Sequence, residues 1–151
     1  MVNSALFSHK TDDWGTPLDL FHKLFCIYRF HVDAAADTNN HLLPEWFGEG
    51  GIRKDALELR WMETGAQNFF LNPPYSMCRQ FMAKVVETYR DGGNIVVLVP
   101  ARTDTKWWHE SVEGIATVKP VKGRLKFSGS QNSAPFPSVI LTYLGALNDL
   151  N

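Results

Sequence analysis

The tetrapeptide Asn72-Pro73-Pro74-Tyr75 follows the apolar run 68–71 and suits the methylation of a planar amino group. The exocyclic amine of a base is a poor nucleophile, because its lone pair is delocalised into the ring. The Asn72 side-chain carbonyl and the Pro73 backbone carbonyl are candidate acceptors for the two amine hydrogens, an arrangement that turns the lone pair towards a donor methyl group. Two prolines stiffen the backbone and remove donors, and Tyr75 is a candidate to stack on the face of a flipped-out base. A strand-to-loop turn, capped by Asn72 and closed by the prolines, is the alternative interpretation.

Apolar periodicity predicts helices and strands in alternation along the chain. A helix is expected to start at Thr16-Pro17, with Thr16 as the N-cap and Pro17 as the first helical residue. The other predicted elements are strands over 30–34, 67–71 and 94–99, a helix over 76–90, a short helix capped by Thr103 and Asp104, and strands over 124–127 and 138–144.

This order predicts an α/β fold, with a mostly parallel sheet and a C-terminal antiparallel strand pair. The almost unbroken apolar run 94–99 is typical of a buried parallel strand. Ligands of such sheets bind outside the carboxyl ends of the strands. Asp33, Asn72 and residues 100–102 each follow or end a predicted strand, so we expect them to converge on one site.

Composition indicates a globular chain, which we predict to be a single domain over residues 1–151 with a flexible segment over 1–12. Hydrophobic residues are 44% and charged residues 21% of the chain, which excludes a disordered protein. No apolar run approaches the ~20 residues of a membrane span, and the N-terminus has no signal-peptide pattern. Cys26 and Cys78 lie far apart without metal-ligand spacing, which favours a reduced cytoplasmic protein. The net charge is −1, so any nucleic-acid surface must be local.

Several segments resemble the phage-type DNA N-6-adenine methyltransferases, the small Dam-like family of phages and prophages. The matching segments are Asp13-Trp14-Gly15-Thr16-Pro17, Val32-Asp33-Ala34-Ala35, Asp55-Ala56-Leu57, Asn72-Pro73-Pro74-Tyr75, Val99-Pro100-Ala101-Arg102-Thr103-Asp104-Thr105-Lys106-Trp107, Gly123-Arg124-Leu125-Lys126-Phe127 and Ala134-Pro135-Phe136-Pro137-Ser138. The resemblance implies a Rossmann-like methyltransferase domain that transfers a methyl group from S-adenosylmethionine to N6 of adenine in DNA. It also implies a phage or prophage origin and a place in the cytoplasm of a bacterial host.

The resemblance assigns four positions to the cofactor besides the catalytic Asn72. Thr16-Pro17 resembles the Thr-Pro pair near the cofactor carboxylate, and a helix N-terminus suits an anion. Asp33 resembles the acid that meets the cofactor ammonium, and Asp55 resembles the acid that accepts from the cofactor adenine amine. The alternative interpretations are a plain helix cap for Thr16-Pro17, a solvated acid at a strand end for Asp33 and a surface loop charge for Asp55. No metal is required, because the sulfonium is already electrophilic; catalysis is then mostly positioning and electrostatics.

Cations in the second half of the chain are candidate contacts for DNA phosphates, with a solvated charged face as the alternative. They are Arg102, Lys106, Lys122, Arg124 and Lys126. Tryptophans near these segments are expected to belong to the core and not to stack on bases. They are Trp14, Trp107 and Trp108.

Two departures from methyltransferase patterns leave alternatives open. Ala34-Ala35-Ala36 follow Asp33 where a Gly-rich turn is usual, which keeps a non-catalytic DNA-binding relic of the fold in consideration. The absence of a Gly-rich turn also disfavours glutamine methylation of the release-factor type, because those enzymes normally carry a Gly-rich cofactor motif. Cytosine N4 remains an alternative substrate. Little chain is left for sequence recognition, and residues 129–137 are the one evident candidate. Weak specificity or a homodimer is therefore expected.

Overall fold

A five-stranded β-sheet with the strand order β1-β2-β3-β5-β4 organises the protein. The computed structural model describes residues 14–148, so the prediction of a flexible segment over 1–12 lies outside the described residues. The elements are α1 (Leu18–Tyr28), β1 (Val32–Asp33), β2 (Asn68–Leu71), α2 (Cys78–Arg90), β3 (Asn94–Pro100), α3 (Lys106–Ser111), β4 (Thr117–Pro120), β5 (Ser138–Leu144) and α4 (Gly145–Asn148). Short 3-10 helices span Ala56–Glu58, Trp61–Thr64 and Tyr75–Met77.

The sheet is mixed, so the prediction of a mostly parallel sheet is wrong. β1 pairs with β2 and β2 with β3 in parallel, whereas β5 pairs antiparallel with both β3 and β4. The prediction rested on the apolar run that forms β3. Such a run indicates that both faces of the strand are buried, which is true of a central strand in a mixed sheet as well as in a parallel one. The α/β class is confirmed, and a Rossmann-like single domain stays a prediction.

Helices cover both faces of the sheet. Val97 of β3 belongs to one buried cluster with Val85 of α2 and Trp108 of α3. Val96 belongs to the other, with Phe21 of α1. Because successive strand residues point to opposite faces, β3 contributes to both clusters in alternation. The expectation that Trp107 and Trp108 lie in the core is confirmed. Trp14 is half-buried and packs against the cluster that contains Val96 and Phe21, which we call the α1 cluster.

The predicted strand over residues 124–127 is absent, and β4 occupies the place expected for it beside β5. Phe127 is buried, and Leu125 is half-buried and packs on the α1 cluster. The alternation of apolar and polar residues that predicted a strand therefore comes from a loop that packs against the core. β4 carries no such signal because all four of its residues are exposed at the sheet edge. Lys119 and Pro120 are typical of edge strands, where they discourage pairing with another chain.

The start of α1 differs from its prediction. The helix begins at Leu18, with Pro17 in the cap position and no side-chain cap. Thr16 is not the N-cap, because its hydroxyl accepts a hydrogen bond from Asn72 instead. This side chain is therefore available to the site and not to the helix.

The cap of α3 also lies later than predicted. The side chain of Thr105 accepts a hydrogen bond from the backbone N–H of Trp108 at 3.3 Å, and the helix follows from Lys106. Thr103 and Asp104 precede this cap and are exposed. An N-cap side chain reaches the N–H two or three residues ahead, so Thr105 is the residue in register with the helix.

Candidate active site

The carboxyl ends of the three parallel strands lie along one edge of the sheet. Asp33 is the last residue of β1 and pairs with Phe70, and Asn72 follows the end of β2 directly. Leu71 pairs in turn with Val97 in the middle of β3, which continues in the same direction to Pro100. The residues expected at strand ends are thus found at the same edge, where ligands of such sheets bind.

The Asn72 side chain is held in one orientation by its amide nitrogen. That nitrogen donates hydrogen bonds to Thr16 Oγ1, at 3.0 Å, and to the Trp14 backbone carbonyl. Its carbonyl oxygen Oδ1 is buried and has no hydrogen-bond partner within the described residues. An unsatisfied buried acceptor costs about 1–3 kcal/mol, so its persistence calls for an explanation. Asn72 therefore presents a fixed acceptor that no residue between 14 and 148 uses.

Tyr75 follows the two prolines and begins a 3-10 turn that leads directly into α2. The Pro74 carbonyl accepts from Met77 N–H at 2.9 Å and closes this turn. The Tyr75 ring meets Phe136 edge-on, with 5.6 Å between ring centroids. Its hydroxyl is buried without a hydrogen-bond partner among residues 14–148. Burial raises the pKa of the Tyr75 phenol, so the hydroxyl stays neutral and the ring acts as an aromatic surface.

Two cavities meet at Asn72. A cleft of about 310 Å³ is lined by Asn72, Pro74 and Asp55, and a smaller cavity of about 30 Å³ is lined by Asn72, Thr16 and Asp33. The larger volume is at the low end of small-molecule sites, and the smaller one has room for a water-sized group. The structure thus brings four of the residues singled out in the sequence around Asn72. Pro17, Pro73 and Tyr75 line neither cavity.

Asp33 is a buried carboxyl group at the wall of the small cavity. Its Oδ2 accepts a hydrogen bond from Leu42 N–H at 3.1 Å. Burial raises the pKa of Asp33 to about 7, against the opposing effects of backbone hydrogen bonds from Leu42 and Ala35 and of nearby His41. A cation placed in the cavity would favour the ionised form. The carboxyl group therefore suits a ligand that brings a positive charge.

Asp55 is an exposed carboxylate at the rim of the large cleft. Its Oδ1 accepts from Leu57 N–H at 2.9 Å and caps the 3-10 helix Ala56–Glu58. This bond fixes the side chain and does not involve the second carboxylate oxygen. Asp55 can therefore present an oriented acceptor to a ligand in the cleft.

Residues to which the sequence analysis assigned no role also build the site. Ser128 Oγ donates to the Thr16 carbonyl at 3.0 Å, and Ser128 N–H donates to the Gly15 carbonyl at 2.9 Å. Asn40 lines both cavities, and Phe136 lies against Tyr75. Phe136 lies in the segment 134–138 that carries the family resemblance, whereas no sequence signal marks Asn40 or Ser128.

The five candidate DNA-contacting cations are all exposed. None of them forms a salt bridge within the part of the chain that the structure describes. The Arg102 guanidinium lies 5.8 Å from the ring centroid of Phe136, which contacts Tyr75 in turn. No Asp or Glu occurs between residues 114 and 148, so the segment that carries Lys122, Arg124 and Lys126 is locally basic despite the overall charge. Among the helices of residues 14–148, none is long and apolar enough to cross a membrane.

Comparison with known proteins gives two findings. A sequence model of a family described as DNA N-6-adenine-methyltransferase (Dam) matches residues 3–139. A DNA N-6-adenine-methyltransferase of Escherichia phage T1 is 28% identical to this chain over 108 residues. That alignment covers 71% of this chain and 43% of the phage T1 protein, so the chain spans less than half the length of this relative.

Proposed function

This chain belongs to the DNA N-6-adenine-methyltransferase family, and we propose that it transfers a methyl group from S-adenosylmethionine to N6 of an adenine in DNA. The observation that carries the proposal is the buried Oδ1 of Asn72, which has no hydrogen-bond partner in the described part of the chain. An adenine N6 amine has two hydrogens to donate. Asn72 Oδ1 accepts one and the Pro73 carbonyl accepts the other, and the amine lone pair then projects out of the base plane.

The orientation of the Asn72 amide is central to this role. Its nitrogen already donates to the Thr16 hydroxyl and to the Trp14 carbonyl. If the amide nitrogen and oxygen exchanged places, the oxygen would face the Trp14 carbonyl, which can only accept, and that hydrogen bond would be lost. The oxygen is therefore fixed before the substrate arrives. Preorganised polar groups of this kind stabilise developing charge without reorganising during the reaction.

The residues around the two cavities fit S-adenosylmethionine. When bound, the cofactor supplies an electrophilic methyl group on a sulfonium. Asp33 lines the small cavity and suits the cofactor ammonium, because a cation offsets the cost of ionising this buried carboxyl group. Asp55 at the large cleft suits the adenine amine of the cofactor. Thr16-Pro17 is proposed for the end of the cofactor that carries the carboxylate.

DNA is the proposed partner. A base inside a duplex is out of reach of such a site, so the target adenine must be flipped out, and Tyr75 is proposed to stack on it. The exposed cations that have no described salt bridge are proposed to bind phosphates. The proposed setting is the cytoplasm of a bacterial host, with a gene of phage or prophage origin, in keeping with the phage T1 relative. A homodimer stays a prediction.

The direct test is incubation of the purified protein with isotope-labelled S-adenosylmethionine and unmethylated DNA, followed by digestion and mass analysis of the nucleosides. Labelled N6-methyladenine is the expected product. N4-methylcytosine would keep the mechanism and change the substrate. Calorimetric titration with the cofactor, before DNA is added, separates an enzyme from a relic of the fold, because the relic would give no heat of binding.

A further inference from the structure

The segment of residues 128–137, which we call the β5 loop, is anchored at both ends to the proposed active site. At its start, Ser128 hydrogen-bonds to the backbone of Gly15 and Thr16. At its end, the Pro137 carbonyl accepts from Ala101 N–H at 2.9 Å, and Phe136 packs against Tyr75. The loop therefore spans the space between the wall of the small cavity and the aromatic ring proposed to hold the base.

The tip of the β5 loop has a defined turn. Gly129 has φ +81°, a left-handed value that favours glycine, and the position that a Cβ would take there has no neighbouring atom within 4 Å. Ser130 N–H donates to the Phe127 carbonyl at 3.0 Å, and Ser130 Oγ donates to the Asn132 carbonyl at 2.9 Å. These bonds hold the backbone of the tip. Side chains at the tip are consequently presented from a fixed base.

Gln131 and Asn132 are exposed at this tip. Neither side-chain amide forms a hydrogen bond with another residue of the range 14–148. An amide carries a donor and an acceptor side by side, which matches the N6 and N7 edge of adenine in the DNA major groove. Free amides on a fixed turn thus have the chemistry of base readout.

The electrostatic setting favours DNA near this tip. Arg124 and Lys126 precede the β5 loop, and no acidic residue occurs from residue 114 to residue 148. Arg102 lies over Phe136 at the far end of the loop. Phosphate contacts on both sides of the loop would fix the register of a duplex, whereas the amides would supply sequence information.

We propose that the β5 loop is the sequence-reading element of this protein, with Gln131 and Asn132 contacting adenine-containing base pairs beside the target adenine. This inference rests on the proposed function. The loop reads neighbours of the target and not the target itself, because the target base is held at Asn72 and Tyr75. Specificity and chemistry are thereby assigned to different residues, which can be tested separately.

The test uses the full chain and a pool of duplexes in which a central adenine is flanked by randomised base pairs. Methylated duplexes are recovered with an antibody against N6-methyladenine and sequenced, and total N6-methyladenine is measured by mass analysis. The variants are Gln131→Ala and Asn132→Ala. Gln80→Ala, which removes an exposed amide from α2, is the matched control.

The wild type and Gln80→Ala are expected to share one flank preference that includes adenine. In each loop variant, the ratio of rates on preferred and disfavoured flanks should fall by at least about fivefold, since a bidentate amide contact gives about 1–3 kcal/mol of discrimination. Calorimetric titration should show unchanged cofactor affinity. The inference is overturned if the wild type has no flank preference, or if both variants keep the wild-type ratio. Absence of N6-methyladenine from every pool with the wild type is a different result, because it overturns the proposed function.

Discussion

Asn72 Nδ2 lies 3.0 Å from Thr16 Oγ1, so the residue directly after β2 is joined to a residue two positions before α1 by a side-chain hydrogen bond. The bond connects positions 56 residues apart in the chain. It leaves Oδ1 of the same amide buried and unpartnered within residues 14–148. The orientation of the proposed catalytic group is therefore set by a neighbour that touches no base in our proposal.

Asn72→Ala is expected to lower the rate of methylation by about a hundredfold or more, which is typical of removing one oriented polar group from an active site. Cofactor affinity should fall much less, since Asp33 and Asp55 remain. The measurements are single-turnover methylation of DNA with labelled cofactor and calorimetric titration with the cofactor. Gln80→Ala serves as the control for the removal of an amide at an exposed site. A fully active Asn72→Ala enzyme would show that the tetrapeptide is only a turn.

Tyr75→Phe and Tyr75→Ala should have different consequences. The Tyr75 hydroxyl is buried without a partner in the described structure, so its removal in Tyr75→Phe should leave activity largely intact and leave thermal stability equal or higher. Tyr75→Ala removes the ring and should weaken productive DNA binding by roughly 5- to 150-fold, because base stacking contributes about 1–3 kcal/mol. The KM for DNA and the midpoint of thermal unfolding are the measurements. A large drop in activity in Tyr75→Phe would contradict this account and give the hydroxyl a chemical role.

Asp33 should make the free protein less stable as the pH rises. Its pKa is raised by burial from its ordinary value of 3.8 to about 7 in the folded protein. Between these two values the folded state holds a proton that the unfolded state has released. The contribution of protonated Asp33 to the stability of the folded state is therefore fully present below pH 4 and is lost as the pH rises through 7. The free energy of unfolding is therefore expected to fall by about 1.4 kcal/mol per pH unit between about pH 4.5 and 6.5. Urea titrations across this range should show the slope as a difference between wild type and Asp33→Asn, and equal pH profiles would contradict it.

Cofactor binding should show the opposite trend with pH at the same residue. The ionised carboxylate is the form that attracts the cofactor ammonium, so affinity should rise as the pH increases from about 6 to 7.5 in the wild type. Asp33→Asn should bind more weakly and show no such rise. Calorimetric titration with S-adenosylmethionine at several pH values measures both effects. An identical rise in the variant would place the ammonium elsewhere.

Arg124→Ala combined with Lys126→Ala should weaken DNA binding without affecting cofactor binding. The plot of log affinity against log salt concentration should become shallower by about one for each phosphate that the variant no longer neutralises. The matched control is Lys23→Ala combined with Arg90→Ala, which removes two exposed cations from α1 and α2. Fluorescence anisotropy with a labelled duplex over a series of salt concentrations gives both quantities. Equal slopes for the two double variants would mean that DNA binds elsewhere.

Features that depend on local pattern could be predicted from the sequence. The run that forms β3 is apolar because both of its faces are covered, and its position along the chain is confirmed. The end of α2 was predictable from Gly92, which has φ +97° and follows shortly after the last helical residue, Arg90. In these places one short segment contains all the information that its structure requires.

Features that depend on which distant segments meet could not be predicted in this way. β5 lies between β3 and β4 and runs antiparallel to both, whereas its own apolar residues fit either direction. Thr16 has the sequence of an N-cap, but the arrival of Asn72 from the end of β2 takes its hydroxyl. The bond between Ser128 and Thr16 spans 112 residues and has no local signature. The site is therefore predictable as a set of strand ends and not as a set of hydrogen bonds.

The bond between Thr16 and Ser128 also has a consequence for biosynthesis. Translation delivers the chain from its N-terminus, so Thr16 is made 112 residues before the side chain that hydrogen-bonds to its carbonyl. β5, which pairs with both β3 and β4, is made later still. A chain still held on the ribosome at residue 120 has neither the hydrogen bond that holds the Thr16 backbone beside the small cavity nor a complete sheet. The proposed site therefore assembles only after β5 has been synthesised, and a chain that stops before β5 lacks part of that site.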